Sequence, residues 1–368
     1  MRVTRASRFI LCLAIGVAAC GKDSPSAPGG STGLAAPSPS SPAEASQLST
    51  LRPTLVVNNA TSGEAGAKVY EFQISDKIDF STAGSASGGA FAAFISATNV
   101  AEGAGGTTSY TPTLDLQPAT RMYWRARVTQ GTATSEWSPT RTFNSQIIGY
   151  SRAGELFDPL TAGATVGAAV GSTTFIAGKG IRINDQNSYV RYQLAQTISS
   201  GEFSVEVEGL YPNGPGEKGK IFSMMDGSAH LLASKYNLST QYRGINGNPP
   251  NAISFKAVFG DEDFKLEPDF AQRLAAVVSL DPSRTYFWKA TWSNEFRLVV
   301  QDGRNGPTLY DLGVSSRGST YAPSPHVAFL GASNAVFGEE AGSWPGVTYR
   351  NLWIGTGTRP ATLGNAVN

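Results

Sequence analysis

Glu202-Phe203-Ser204-Val205-Glu206-Val207-Glu208 sets Phe203, Val205 and Val207 on one side and polar residues on the other. Successive side chains of a strand point to opposite faces, so a period of two specifies a strand with one buried face. The same signature recurs on both sides of it. Strand-like runs lie at 173–176, 180–184, 188–194, 219–225, 229–233, 253–259, 284–292, 294–301, 307–312, 326–330 and 347–354. In 286–292, Tyr286, Trp288, Ala290 and Trp292 share a face opposite Phe287, Lys289 and Thr291. Trp292 to Leu298 reads as a strand, a tight turn and a returning strand. Only 268–278 has the composition of a short helix. Residues 146–360 are therefore expected to form a two-sheet, all-β jelly roll.

Residues 51–145 carry a smaller set of strands. Lys68 to Ser75 alternates Tyr70, Phe72 and Ile74 against Val69, Glu71 and Gln73. Arg121 to Val128 puts Met122, Trp124, Ala126 and Val128 on one face and Tyr123, Arg125 and Arg127 on the other. Turn-rich segments separate these runs, and an extra strand is expected at Phe91 to Ser96. The pattern predicts a small antiparallel sandwich. Trp124 is expected in its core, with the arginine stems lying over the solvent face.

The N-terminus reads as an address. Arg2, Arg5 and Arg8 precede an apolar run from Phe9 to Ala19, which is too short to span a bilayer. The run ends at Val17-Ala18-Ala19-Cys20. This resembles the lipobox of bacterial lipoproteins. The resemblance implies that 1–19 is a signal peptide, that Cys20 is lipidated, and that the chain is held at the cell envelope. Gly21 after the cysteine implies the outer membrane. Cleavage would remove Cys12 and three arginines, leaving a slightly acidic chain with no cysteine for a disulfide. Residues 20–50 are rich in Ser, Pro, Gly and Ala and lack apolar periodicity, so they are expected to be a disordered tether. Residues 361–368 are expected to be a disordered tail.

The chain has 368 residues, 29 Lys+Arg and 28 Asp+Glu, for a formal net charge of +1. That balance and the lack of a basic stripe exclude a general nucleic-acid binder. Two histidines exclude a His-rich metal centre. No phosphate-cradling Gly-rich loop stands between a strand and a helix.

Two further resemblances follow. Residues 51–145 resemble a fibronectin type III-like domain, through Tyr70 to Ser75, Tyr123 to Val128, Ser135-Glu136-Trp137-Ser138 and Thr142-Phe143. Residues 146–360 resemble the laminin-G-like or concanavalin-like sandwiches, through Phe203 to Gly209, Lys220 to Gly227, Phe296 to Gly303, His326 to Gly331 and Trp344 to Gly355. That family's usual arrangement implies that 347–354 lies near 173–184. Its members include lectins, enzymes and structural modules, so the likeness does not fix an activity.

Sugar binding asks for an aromatic ring to stack on a pyranose and for amides or arginine to bond its hydroxyls. Tyr236, Tyr242, Arg243, Asn246, Asn248 and Trp344 lie in polar, Gly- and Pro-containing stretches and are the candidate ligand-binding residues. A glycosidase needs two facing carboxylates. Glu206 and Glu208 share one strand face, and Asp261, Asp263 and Glu267 form an acidic cluster bracketed by Gly260 and Pro268. The cluster reads first as a solvated loop, with Asp261 and Asp263 as a Ca2+ alternative; otherwise no cofactor is expected. His230 with Lys235, Tyr236, Tyr242 and Arg243 would suit a lyase. His326, opening an apolar strand, reads as structural. No catalytic residue is assigned, and the balance is against an enzyme. The expectation is an envelope lipoprotein that binds polysaccharide or an envelope protein without catalysis. The alternatives are a polysaccharide hydrolase or lyase, and a structural assembly protein.

Overall fold

The structure, a computed structural model, describes residues 33–82, 91–227, 234–260, 265–315, 318, 320–332 and 341–367. Residues 1–19, read as a signal peptide, and Cys20, His230, Asp261 and Asp263 lie outside them. The smaller unit contains β1 (Ser38–Ser41), β2 (Ser46–Gln47), β3 (Leu55–Asn58), β4 (Lys68–Ser75), β5 (Phe94–Ala101), β6 (Thr107–Tyr110), β7 (Arg121–Gln130), β8 (Ala133–Thr134) and β9 (Arg141–Asn144). The larger contains β10 (Tyr150–Arg152), β11 (Glu155–Asp158), β12 (Ala168–Val170), β13 (Thr173–Ile176), β14 (Gly180–Ile183), β15 (Tyr189–Gln193), β16 (Gly201–Glu208), β17 (Lys218–Met225), β18 (Tyr236–Arg243) and β19 (Ile253–Phe259). It continues with the helix α1 (Phe270–Ala275), β20 (Thr285–Trp292), β21 (Glu295–Asp302), β22 (Thr308–Ser315), β23 (Val327–Gly331), β24 (Ala341–Ser343) and β25 (Thr348–Gly355).

In the smaller unit a sheet β1-β3-β6 faces a sheet β2-β9-β7-β4-β5, to which β8 adds on β7. Tyr70, Phe72, Ile74, Met122, Trp124, Ala126, Val128 and Phe143 fill the space between them. Outside, Arg125 stacks on Phe80 and Trp137 at 4.0 and 4.2 Å, and Arg127 on Trp137 at 4.4 Å. The Ser135 and Ser138 hydroxyls accept the Val128 and Ala126 N–H groups, so side chains extend the β7 ladder where no regular strand continues it. This unit is a fibronectin III/immunoglobulin-like sandwich.

Its first strands lie inside the expected tether, which is shorter than its composition implies. Pro37, Pro39 and Pro42 are buried while the serines between them are exposed. The prolines supply an apolar alternation, and proline is tolerated on an edge strand, where a missing N–H costs no ladder bond. Thus β1 pairs with β3 through Ser38↔Asn58 and Pro39↔Val57, and β2 pairs in parallel with β9.

The larger unit packs a nine-stranded sheet, β10-β11-β25-β16-β20-β21-β22 with β13 and β14, onto a seven-stranded sheet, β12-β15-β23-β17-β18-β19 with β24. Phe203, Val205 and Val207 face the core, as their alternation requires, and Tyr286, Trp288, Ala290 and Trp292 join them. Phe203 stacks on Phe222 of the opposite sheet with centroids 3.7 Å apart. β14 pairs with β25 through Ile181↔Tyr349, which closes the roll where the resemblance placed it. Asp269 and Gln272 cap α1 reciprocally. The architecture is a concanavalin-like jelly-roll sandwich. His326 is structural here: Nδ1 accepts the Ile198 N–H at 3.1 Å, Nε2 lies 3.0 Å from the Tyr321 hydroxyl, and burial pushes its pKa down to about 4.

The expected disordered tail is instead an ordered strap across the junction of the two units. Leu363 and Val367 are buried with Ala119, Phe157 and Trp353. Thr362 donates to Asp76 at 2.6 Å and accepts from Gln117 at 2.9 Å, and Asn365 accepts the Arg121 N–H at 2.7 Å. Arg304 donates to the carbonyls of Ala361 and Leu363 at 2.6 and 2.8 Å. Its partners are remote in sequence, 245 residues away for Gln117, so local composition carries no trace of the order.

Candidate binding face

Three adjacent strands of the seven-stranded sheet build the site. On β18, Leu238 and Tyr242 point into the core. Asn237, Ser239, Gln241 and Arg243 have the opposite parity and occupy the outward face. On β19, Ile253, Phe255 and Ala257 are core, which leaves Ser254, Lys256 and Val258 outward. On β17 an irregularity between Lys220 and Phe222 sends both Ile221 and Phe222 into the core. A bulge re-aims the side chains that follow it. The outward set therefore shifts from Lys218 and Lys220 to Ser223 and Met225.

The register arranges these side chains in rows. Lys220, Gln241 and Ser254 lie abreast, then Ser223, Ser239 and Lys256, then Met225, Asn237 and Val258. The rows continue across β23 and β15: Phe329 and Arg191 flank Ser223, while Val327 and Gln193 flank Met225. One half of the face is thus amide, hydroxyl and ammonium. The other half is apolar: Met225, Val327 and Phe329 form a cluster apart from the main core, against Tyr189. The Tyr189 and Phe329 rings meet edge-on at 5.6 Å.

Lys220 is the centre of the polar half. It is 1% exposed. Its ammonium donates to Gln241 Oε1 at 2.7 Å and Ser239 Oγ at 3.0 Å. Among the described residues no carboxylate joins that shell. Burial pushes its pKa well down, and Lys218, Lys256 and Arg243 add repulsion. Arg243 donates to Glu217 at 2.9 Å, and Glu217 also pairs with Lys218 at 3.4 Å. The Ser223 hydroxyl, Asn237 Oδ1 and Arg243 Nε are buried without a hydrogen-bond partner. A buried polar group left unpaired costs about 1–3 kcal/mol, so three on one face mark a place where polar ligand atoms or water belong. Solvent reaches the lattice at its margins, where Lys218 and Lys256 are half-buried.

Of the residues read as ligand-binding in the sequence, Arg243 alone lies on this face. Tyr242 and Trp344 are corrected to core residues: both are fully buried, their rings 5.1 Å apart, and unavailable for stacking on a sugar. Tyr236 is half-buried on the core side, edge-on to Tyr321 at 6.0 Å. Asn246 and Asn248 are exposed on the loop after β18, where the Asn248 carbonyl accepts from Arg273. The residues that reading missed are Lys220, Ser223, Asn237, Ser239, Gln241 and Ser254. Their signal was the second parity of Tyr236 to Arg243, polar at every odd position.

Among the described residues, the candidate carboxylates Glu206, Glu208 and Glu267 are each held by a cation. Glu206 accepts from Arg350 at 2.8 Å and Asn351 at 3.1 Å, and Glu208 pairs with Lys179 at 3.2 Å. Both lie on the outer face of the other sheet, held by cations. Glu267 pairs with Lys265. Among the described residues, no three His, Cys, Asp or Glu side chains gather to hold a metal.

No protein-family model matches the chain, and no curated protein sequence matches it. Among solved structures, the Ca2+-bound VIP36 exoplasmic/lumenal domain superposes with a TM-score of 0.33 and 11% identity, covering 55% of this chain and 90% of that one. A legume lectin-like domain from Entamoeba histolytica gives 0.30 and 8%, covering 56% and 94%. The FN1–FN3 domains of chicken CNTN1 give 0.20 and 8%, covering 77% and 66%. At that level of likeness neither a ligand nor an ion transfers from those proteins to this chain.

Proposed function

We propose that this chain is a non-catalytic glycan-binding protein of the bacterial envelope, held at the outer membrane through a lipid on Cys20. One observation carries the binding assignment. Amide, hydroxyl and ammonium groups lie in register on β17, β18 and β19, with buried polar atoms left unpaired among them. Sugar hydroxyls both donate and accept, so they suit a lattice of Ser, Asn and Gln. The ion-paired state of Glu206 and Glu208 supports binding without hydrolysis.

A glycan array probed with the full chain is expected to show a restricted set of bound glycans, with no reducing ends or unsaturated products released. Gln241→Leu, folded by circular dichroism, is expected to weaken that binding at least tenfold. An array with no bound glycan, or full binding by the variant, contradicts the assignment. The anchor is carried by Arg2, Arg5, Arg8 and the Val17-Ala18-Ala19-Cys20 run. Labelled palmitate is expected in the protein and absent from Cys20→Ser, which should leave the membrane fraction. A Cys20→Ser protein that stays in that fraction contradicts the anchor.

A further inference from the structure

We infer that the glycan taken by this face is acidic, and that Lys220 reads its carboxylate or sulfate. The inference rests on the binding assignment above and adds the ligand's charge class. Three observations support it. The first is where Lys220 sits. It lies in the row with Gln241 and Ser254, 1% exposed, inside a sheet rather than at an edge. Bringing an ammonium there is strongly unfavourable when no counter-charge accompanies it. A methionine of similar length would occupy the position without that penalty. The second is its shell. A lysine has three N–H donors. Two are taken, by neutral oxygens of Ser239 and Gln241. Neither supplies negative charge, and among the described residues no carboxylate bonds the ammonium, so an anionic ligand group on the remaining donor would complete the shell.

The third is the surrounding field. Lys218 and Arg243 pair across the strands next to the Lys220 row, and both contact the carboxylate of Glu217. That margin is where solvent enters, so an approaching polyanion meets positive potential before it meets Lys220. The unpaired Ser223 hydroxyl and Asn237 Oδ1, in the next rows, are then left for the hydroxyls of the same or the adjoining sugar. The nine-stranded sheet differs: its outward cations Lys289, Arg350 and Lys179 are matched by Glu202, Glu206 and Glu208. Among the described residues, the two outer faces of one sandwich therefore differ in that the cations of the nine-stranded sheet meet carboxylates, whereas the Lys220 ammonium meets only neutral oxygens.

The test measures the full chain by isothermal titration against four polymers: polygalacturonate, its carboxyl-reduced form, dextran sulfate and dextran. Binding is expected to at least one acidic polymer, at least tenfold weaker to its neutral counterpart, and weakening with added salt. The polygalacturonate and dextran sulfate arms tell carboxylate from sulfate. Lys220→Met is expected to lose at least tenfold for the acidic polymer while melting no lower than the parent, because it removes a buried charge. Lys220→Gln serves if the methionine variant misfolds. Equal binding of acidic and neutral forms overturns the acidic assignment and leaves glycan binding standing. Acidic binding unchanged in both variants also overturns it, since general surface charge would then be responsible. No binding to any polymer, together with a blank glycan array, removes both readings.

Discussion

Replacing Arg359 with leucine lowers the stability of the chain by about 3–5 kcal/mol, the usual cost of removing one member of a buried charged network. Its guanidinium is enclosed. Nη1 donates to Ser204 Oγ at 3.1 Å and to the Asn351 carbonyl at 2.7 Å, and Nη2 donates to the Leu363 carbonyl at 3.0 Å. The Arg359 backbone N–H reaches Glu202 at 3.4 Å. Burial and the neighbouring Arg304 pull its pKa down, and Glu206 and Glu202 hold it up. Leucine would leave the Ser204 hydroxyl and the Asn351 and Leu363 carbonyls without their shared donor and would remove the positive charge beside Glu206 and Glu202. The loss would not stay local. Arg359 pins the start of the strap whose Thr362 and Asn365 bond the smaller sandwich and whose Leu363 and Val367 fill the junction. Calorimetry is expected to show one unfolding transition for the full chain and two for a chain ending at Thr358. Gly364→Val tests the same contact without touching charge. Gly364 has φ of +78°, and a side chain there would run into Asn351 and Arg359. A chain ending at Thr358 that melts in one transition at the parent temperature would show that the strap holds nothing together.

The strap and the first strands were invisible in the sequence for one physical reason. Short segments order through partners far away, and composition describes only the segment itself. The stretch from Pro37 to Pro42 looks like a linker by composition, yet its prolines alternate and bury against a sheet formed by later residues. Where the alternation is long and unbroken, as in β16 or β20, the strand and its core face were legible outright. The binding face lies between these cases. The alternation of Asn237, Ser239, Gln241 and Arg243 was present in the sequence, but a strand with both faces buried hides which parity is outward. Grouping Tyr236, Tyr242 and Arg243 as one site ignored that their parities differ. The bulge at Ile221 concealed Lys220 further, because the parity of β17 changes in mid-strand and no fixed period describes it. Trp344 was misread because it stands in a Gly- and Pro-containing loop, where exposed aromatics are common.

That tryptophan leads to the second large effect. Trp344 is fully buried, tilted against Tyr242 at 5.1 Å and edge-on to Tyr211 at 5.5 Å. Gly214 and Gly219 close around it, and a Cβ at either would overlap the indole. The backbone at Gly219 is not in the left-handed region, so alanine there would be strained by packing alone. Trp344→Ala is expected to cost about 3–5 kcal/mol, as large-to-small changes at aromatic core sites do. Gly219→Ala is expected to cost about 1–3 kcal/mol by overpacking. The double variant Gly219→Ala with Trp344→Leu separates packing from other causes. If the ring and the missing Cβ compete for one space, it should unfold in urea with a smaller loss than its two single variants combined, by at least about 1 kcal/mol. Strict additivity would deny the contact. The consequence reaches the binding face, because Trp344 follows β24, whose Ser343 pairs with Lys220 and whose Gly342 pairs with Gly219. The indole therefore seats the strand that flanks the buried lysine. Gly219→Ala should weaken acidic-polymer binding as well as stability, although neither Gly219 nor Trp344 touches the ligand. A variant that loses stability and keeps full affinity would show that Lys220 is positioned without this wedge.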